Sequence, residues 1–130
     1  MTFATFGQAP EAEPAPSDHP VAVALRAYQA GDLGSLDRIA VRQDGPAFRR
    51  QVWDALRRIM PGAPISYAEL AAAAGRPQAV RAAASGCATN QIPLIVPCHR
   101  AIRSDGTLGG YAFGLGLKQR ILDHEARHAI

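Results

Sequence analysis

Two short helical segments meet at Gly75-Arg76-Pro77, and that junction restricts the chain more than any other feature. Ser66 followed three residues later by Glu69 makes a capping box that opens the first segment. Gly75 closes it, because glycine takes the left-handed C-terminal conformation without steric cost. Pro77 then restarts the chain as a helix to about Ala88, since a proline at the first helical position gives up no needed N–H. Two helices joined so tightly have the form of a helix-turn-helix, whose second helix usually enters DNA.

The flanking segments read as further short elements. Phe48, Val52, Leu56 and Ile59 fall on one stripe of a helix starting near Pro46 and stopped by Pro61-Gly62, while Arg49, Arg50, Asp54, Arg57 and Arg58 form its solvated side. Upstream, Asp18 or His19 can cap a helix with Pro20 at its first position, and Val21, Leu25 and Tyr28 recur along one face until Gly31. Residues 1–17, with Pro10, Pro14 and Pro16 among Ala, Glu and Ser, have the composition of a flexible tail. After Asn90 the run Ile92-Pro93-Leu94-Ile95-Val96-Pro97 leans to β and suits a buried edge segment that delivers Cys98 to a pocket. Ser104-Asp105-Gly106 supplies a turn. A glycine-rich loop from Gly109 to Gly116 leads into a last helix with Leu117, Ile121 and Leu122 inward. The fold class expected is mostly α with a short β element, built on a winged-helix-like helix-turn-helix.

Length and composition bound the function. A chain of 130 residues holds one modest core, and 48% hydrophobic with 19% charged residues fits a soluble globular protein. No apolar run approaches the roughly 20 residues of a membrane span, and the N-terminus lacks a basic start followed by an apolar stretch, so a cytoplasmic protein is expected. In that compartment Cys87 and Cys98 are free thiols rather than a disulfide scaffold. The net charge of +3 permits nucleic-acid binding without demanding it.

Pro97-Cys98-His99-Arg100 joins a nucleophile to a base. Neighbouring side chains of a strand point to opposite sides, so a direct Cys-His pair requires a turn there, or a water between the two side chains. Free cysteine is only slightly ionised near neutrality, and a base that withdraws its proton raises the reactive fraction. Glu125 on the last helix is placed to hold His99 in one tautomer. Taken alone, Cys98 would more often be a buried apolar thiol, Tyr67 a packing residue and Arg81 a surface charge. Cys87, among small residues, reads as packing. His19, His124 and His128 form no ligand constellation, so neither a metal nor any other cofactor is expected.

Ile92-Pro93-Leu94-Ile95-Val96-Pro97-Cys98-His99-Arg100 resembles the active-site signature of the O6-alkylguanine-DNA alkyltransferases. The likeness continues in order through Ile65-Ser66-Tyr67, Arg81 and Asn90 upstream, and through Gly109-Gly110-Tyr111 and Leu122-Asp123-His124-Glu125 downstream, covering about residues 45–126. It implies direct repair: alkyl transfer from O6-alkylguanine, and by extension O4-alkylthymine, in double-stranded DNA to Cys98, which is consumed. By the same resemblance Tyr67 protonates the departing guanine, and backbone groups of Cys98, Ala101 and Ala112 meet its edge. Pro93 and Tyr111 belong to the substrate pocket, and Asn90 holds the turn that aligns Cys98 with Tyr67. Arg81 stands in for an extruded base from the minor groove, with Ser66, Arg76, Ala79 and Val80 in the DNA contact. The resemblance further implies a catalytic domain over 45–130, preceded by a linker helix region over 18–44, with most of the family's N-terminal β-domain not accommodated, and a monomer. The alternatives are a lesion sensor without transfer, which Cys98 speaks against, a transcription regulator resting on the helix-turn-helix, and a thiol hydrolase.

Overall fold

The computed structural model describes residues 19–129, so the tail expected over 1–17 and the capping alternative Asp18 lie outside the described residues. Helix α1 runs Pro20–Gln29, with His19 as its cap: the imidazole Nδ1 accepts from the Val21 N–H at 3.1 Å, and Pro20 takes the first position. A 3-10 helix, Ser35–Arg38, links it toward α2, Ala47–Arg57, which buries Val52, Trp53, Ala55 and Leu56. Strand β1 is only Ile65–Ser66 and runs directly into α3, Tyr67–Ala73; α4 is Val80–Ala88, β2 is Ala101–Ile102 and α5 is Leu115–His128. The chain is mostly helical with one small strand pair, as its punctuation implied.

The helix-turn-helix forms where expected, with one shift of boundary. Ser66 Oγ accepts from the Glu69 N–H at 3.0 Å and Glu69 Oε1 accepts from the Ser66 N–H at 2.9 Å, which completes the capping box. Gly75 ends α3 at φ +97°. Helix α4, however, begins at Val80 and not at Pro77: the Ala79 N–H closes a turn on the Arg76 carbonyl at 2.9 Å, and Ala79 itself sits at φ −91°, ψ 49°, outside the helical region. The two helices pack on α2 through one close approach. A methyl added at Gly86 would lie 3.0 Å from Val52 Cγ1, and the Trp53 indole donates to the Gly86 carbonyl at 3.0 Å, so glycine there lets α4 seat against α2.

The expected β-leaning segment 92–97 is not a strand. Pro93 and Pro97 cannot donate to a ladder, and the N–H groups between them bond locally: Ile95 to the Pro93 carbonyl and Val96 to the Ile92 carbonyl, both at 2.9 Å. Leu94 is left at φ +70°, a conformation that costs a branched side chain energy and persists because the whole stretch from Ile92 to Arg100 is buried. The chain instead becomes extended three residues after the cysteine, where β2 pairs parallel to β1 in the register Ile65↔Ala101, Ser66↔Ile102.

The α2 surface also departs from expectation. Arg57 is not merely solvated; its Nη2 donates to the carbonyls of Leu36, Asp37 and Ile39 at 3.0–3.2 Å, tying the 3-10 helix to α2. On α5, Ile121 is buried and Leu117 and Leu122 only half-buried, while Lys118 and Glu125 are wholly enclosed. Two charged groups at the heart of a chain this small require partners, and those partners define the site.

Candidate active site

Cys98 begins a 3-10 turn, Cys98–Arg100, so its side chain and that of His99 do not alternate as they would in a strand. The cysteine is free and buried, and it lines a cavity of about 490 Å³ together with Tyr67, Cys87, Arg103, Tyr111, Ala112 and Phe113. That volume lies within the range of small-molecule pockets. Burial pushes the Cys98 thiol up, against the opposing pull of a hydrogen bond to Asn90 and the nearby charge of Lys118. Asn90 is buried and does more than face the thiol. Its Nδ2 donates to the Val96 carbonyl at 2.8 Å, and its Oδ1 accepts from the Ile92 N–H and from Gln43 Nε2, which braces the turn before Cys98.

His99 makes no direct pair with Cys98. Its Nε2 lies 2.8 Å from Glu125 Oε2, and since an ionised carboxylate only accepts, that nitrogen carries the proton and Nδ1 is the acceptor. Nδ1 is buried without a hydrogen-bond partner among the described residues. Burial drives the imidazole pKa below its ordinary value, over the opposing influence of Glu125, so the contact is a hydrogen bond from a neutral ring at neutral pH. Glu125 accepts three further bonds, from Tyr28 Oη at 2.7 Å, Arg100 Nε at 2.9 Å and Arg100 Nη2 at 2.8 Å. Burial alone would raise its carboxyl, but the bonds from His99 and Arg100 and their charges outweigh that and bring it down to about 2.

Tyr67 opens α3 and stands half-buried on the cavity wall. Burial, with the neighbouring thiols, lifts its phenol to about 12, so it is a proton donor and not an anion at neutral pH. Lys118 Nζ lies 5.7 Å from the Tyr67 ring centroid and donates to the carbonyls of Leu108 at 2.6 Å, Ala101 at 2.8 Å and Gly110 at 3.3 Å. The buried ammonium thus fastens the glycine-rich loop beside the tyrosine. Gly109 permits the same approach: at φ +73° a methyl there would fall 2.9 Å from the Tyr67 ring and hydroxyl.

The remaining residues singled out from the sequence divide clearly. Tyr111 and Ala112 line the cavity, and the buried Tyr111 hydroxyl has no partner among the described residues. Pro93 and Ala101 do not line it; both are fully buried, and the Ala101 carbonyl is taken by Lys118. Arg81 and Val80 are exposed on the first turn of α4, with Ala79 half-buried before them. Arg76 is exposed and lies over the Phe48 ring at 5.3 Å, and Ser66 is spent on its cap. Sequence reasoning missed Lys118, Arg100, Tyr28, Gln43 and Arg103. A lysine between Leu117 and Gln119 reads as solvent-facing, and only its two-turn spacing from the acid Glu125, seven residues on and so on the same helix face, hinted at an inward charged stripe. Cys87, read as packing, forms part of the same wall as Cys98, and burial lifts its thiol to about 12.

Comparison with known proteins bears on this arrangement. Residues 47–127 match the family model described as 6-O-methylguanine DNA methyltransferase, DNA binding domain. The chain is 52% identical over 84 residues to the bifunctional transcriptional activator/DNA repair enzyme Ada of Escherichia coli, covering 65% of this chain and 24% of that one. It is 45% identical over 101 residues to a methylated-DNA–protein-cysteine methyltransferase of Salmonella typhimurium, covering 78% of this chain and 59% of the relative. Its fold is similar to that of Mycobacterium tuberculosis OGT in complex with DNA, with a TM-score of 0.74 and 38% identity over 85% of this chain and 68% of the other. The chain therefore spans a quarter to three fifths of the length of these curated relatives.

Proposed function

The chain belongs to the 6-O-methylguanine DNA methyltransferase family, and from that premise we propose that it repairs DNA by moving an alkyl group from the O6 of guanine onto Cys98. The observation that carries the proposal is a free thiol on the wall of a base-sized cavity, next in the chain to a neutral imidazole whose Nε2 is held by a buried carboxylate and whose Nδ1 is buried with no hydrogen-bond partner among the described residues.

The chemistry follows from these groups. A water between Cys98 and His99 Nδ1 carries the thiol proton to the ring, and Glu125 stabilises the imidazolium that results. The thiolate attacks the alkyl carbon in line, a C–S bond forms, and the C–O bond breaks with its electron pair left on guanine. Tyr67 donates its proton to the ring so that guanine departs neutral, and Lys118, 3.5 Å from the hydroxyl, stabilises the phenolate until a proton returns. The thioether has no hydrolytic exit, so each molecule reacts once. The target carbon lies inside the duplex, and we assign to Arg81 the filling of the stack after the nucleotide turns out, with Arg76, Ser66, Ala79 and Val80 nearest the backbone. The small exposed residue Ala82 of α4 suits close approach, whereas Ala83 is turned into the core. The same site would admit O4-alkylthymine, a smaller ring carrying the same reactive ether.

Whole-protein mass after incubation with a duplex bearing O6-methylguanine tests the reading. One methyl gained on Cys98, absent from Cys98→Ala, is the expected result; tight lesion binding with no mass gain would make the protein a sensor instead. Arg81→Ala should slow transfer on duplex more than on free O6-benzylguanine, and equal slowing would remove its role in the stack.

A further inference from the structure

The parallel pairing of β1 with β2 ends at Ser66↔Ile102, and the residues that follow the two strands are Tyr67 and Arg103. Two strands in parallel register point equivalent side chains the same way, and both of these line the cavity that holds Cys98. The two positions stand at the carboxyl ends of their strands, one supplying a phenol and the other a guanidinium. Arg103 is exposed, and among the described residues it is the cationic side chain on that wall, since Lys118 is enclosed and spent on carbonyls. It forms no ion pair among the described residues, although its charge contributes to lowering the Asp105 carboxyl. Asp105, the nearest acid in sequence, has turned its Oδ1 onto the N–H and hydroxyl of Thr107 at 3.0 and 2.7 Å. The backbone of Arg103 is fixed by a tight turn, its N–H bonded to the Thr107 carbonyl at 2.9 Å and its carbonyl to the Gly106 N–H at 3.0 Å.

A neutral purine offers a guanidinium at the lip of its cavity ring nitrogens to hydrogen-bond but no opposite charge. The base, however, enters attached to a sugar with a phosphodiester on either side. We propose that Arg103 holds a backbone phosphate flanking the extruded nucleotide, using two donors of its planar fork, and so fixes the base against Tyr67 while Arg81 acts from α4. The proposal rests on the alkyl-transfer reading for the identity of the base. The contact itself is with DNA and is measurable without transfer.

One phosphate contact contributes about 0.9 to the logarithmic salt slope of duplex binding, worth about eightfold in affinity between 1 M and 0.1 M salt. In a Cys98→Ala background, fluorescence anisotropy with lesion duplex should show Arg103→Ala lowering that slope by about one and weakening binding about eightfold at 0.1 M salt, with Arg103→Lys restoring the slope. In the protein with Cys98 intact, Arg103→Ala should slow transfer on lesion duplex several-fold more than transfer from free O6-benzylguanine, with folding certified by an unchanged circular dichroism spectrum. An unchanged salt slope, or free base and duplex slowed alike, would overturn the phosphate role. Failure of the unaltered protein to gain any alkyl group would sink the transfer reading while leaving the salt-slope comparison decisive for Arg103.

Discussion

Replacing Glu125 by alanine should destabilise the protein by roughly 3 to 5 kcal/mol, the cost of stranding one member of a buried ion pair. The carboxylate gathers four hydrogen bonds from three side chains on two elements, and Arg100 would keep only its Nη1 bond to the Ile59 carbonyl at 2.8 Å. An independent route gives a similar size. A carboxyl held at about 2 instead of its ordinary 4.5 stores about 3 kcal/mol, at about 1.4 kcal/mol per pKa unit. For a chain of this length that corresponds to a fall in Tm of roughly 10–20 °C. The sign in pH is fixed as well. A depressed carboxyl stabilises the fold above its unfolded pKa, so this contribution is complete at neutral pH and drains away as pH falls from about 4.5 toward 2. His99, held neutral by burial, adds an earlier loss: the unfolded chain takes up its proton first, so stability starts to fall below about 6.5. Thermal melts followed by circular dichroism from pH 8 to pH 3 measure both. A drop in Tm under about 3 °C for Glu125→Ala, or a gap between variant and parent that does not narrow below pH 4.5, would mean that Arg100 and His99 are solvated and that the network is not a closed one.

Tyr28→Phe removes one bond onto Glu125 from α1 and should cost about 1 kcal/mol in denaturant melts, with His99 still oriented and transfer little changed. Gly109→Ala combines a left-handed backbone with a methyl 2.9 Å from Tyr67, so transfer should slow at least tenfold while duplex affinity changes little; an unaltered rate would show that the loop yields instead of the tyrosine. Lys118→Met leaves the carbonyls of Ala101, Leu108 and Gly110 without their shared donor, and proteolysis at the glycine-rich loop should accelerate along with a Tm loss. Arg57→Ala frees three carbonyls around the 3-10 helix and should cost about 1.5 to 3 kcal/mol by urea titration, where a merely solvated arginine would cost under 0.5.

The local punctuation of this fold was written plainly in the chain. Ser66 with Glu69, Gly75, Pro20 and Pro61-Gly62 act within one helical turn of themselves, so the starts and stops they encode do not depend on what packs nearby. The ordered motifs around Cys98 likewise singled out the cysteine, its imidazole neighbour and Glu125 before any coordinates, and the last two meet at 2.8 Å. Other features were not legible because their causes lie far along the chain. Segment 92–97 has strand-like composition, yet its prolines and the burial of every neighbour turned it into a strained series of turns. Pro93 looked like pocket lining and proved to be core.

Sequence by itself determined where most helices begin and end, the start of α4 excepted, and which thiol stands beside an imidazole, since both depend on short-range bonding and on residues adjacent in the chain. Tertiary structure alone decided that Lys118 and Glu125 face inward, that Tyr28 reaches across 97 residues to the carboxylate, and that Tyr67 and Arg103 share one lip. A charge can be buried only where partners from distant segments converge to replace its water, and no window of sequence contains that convergence.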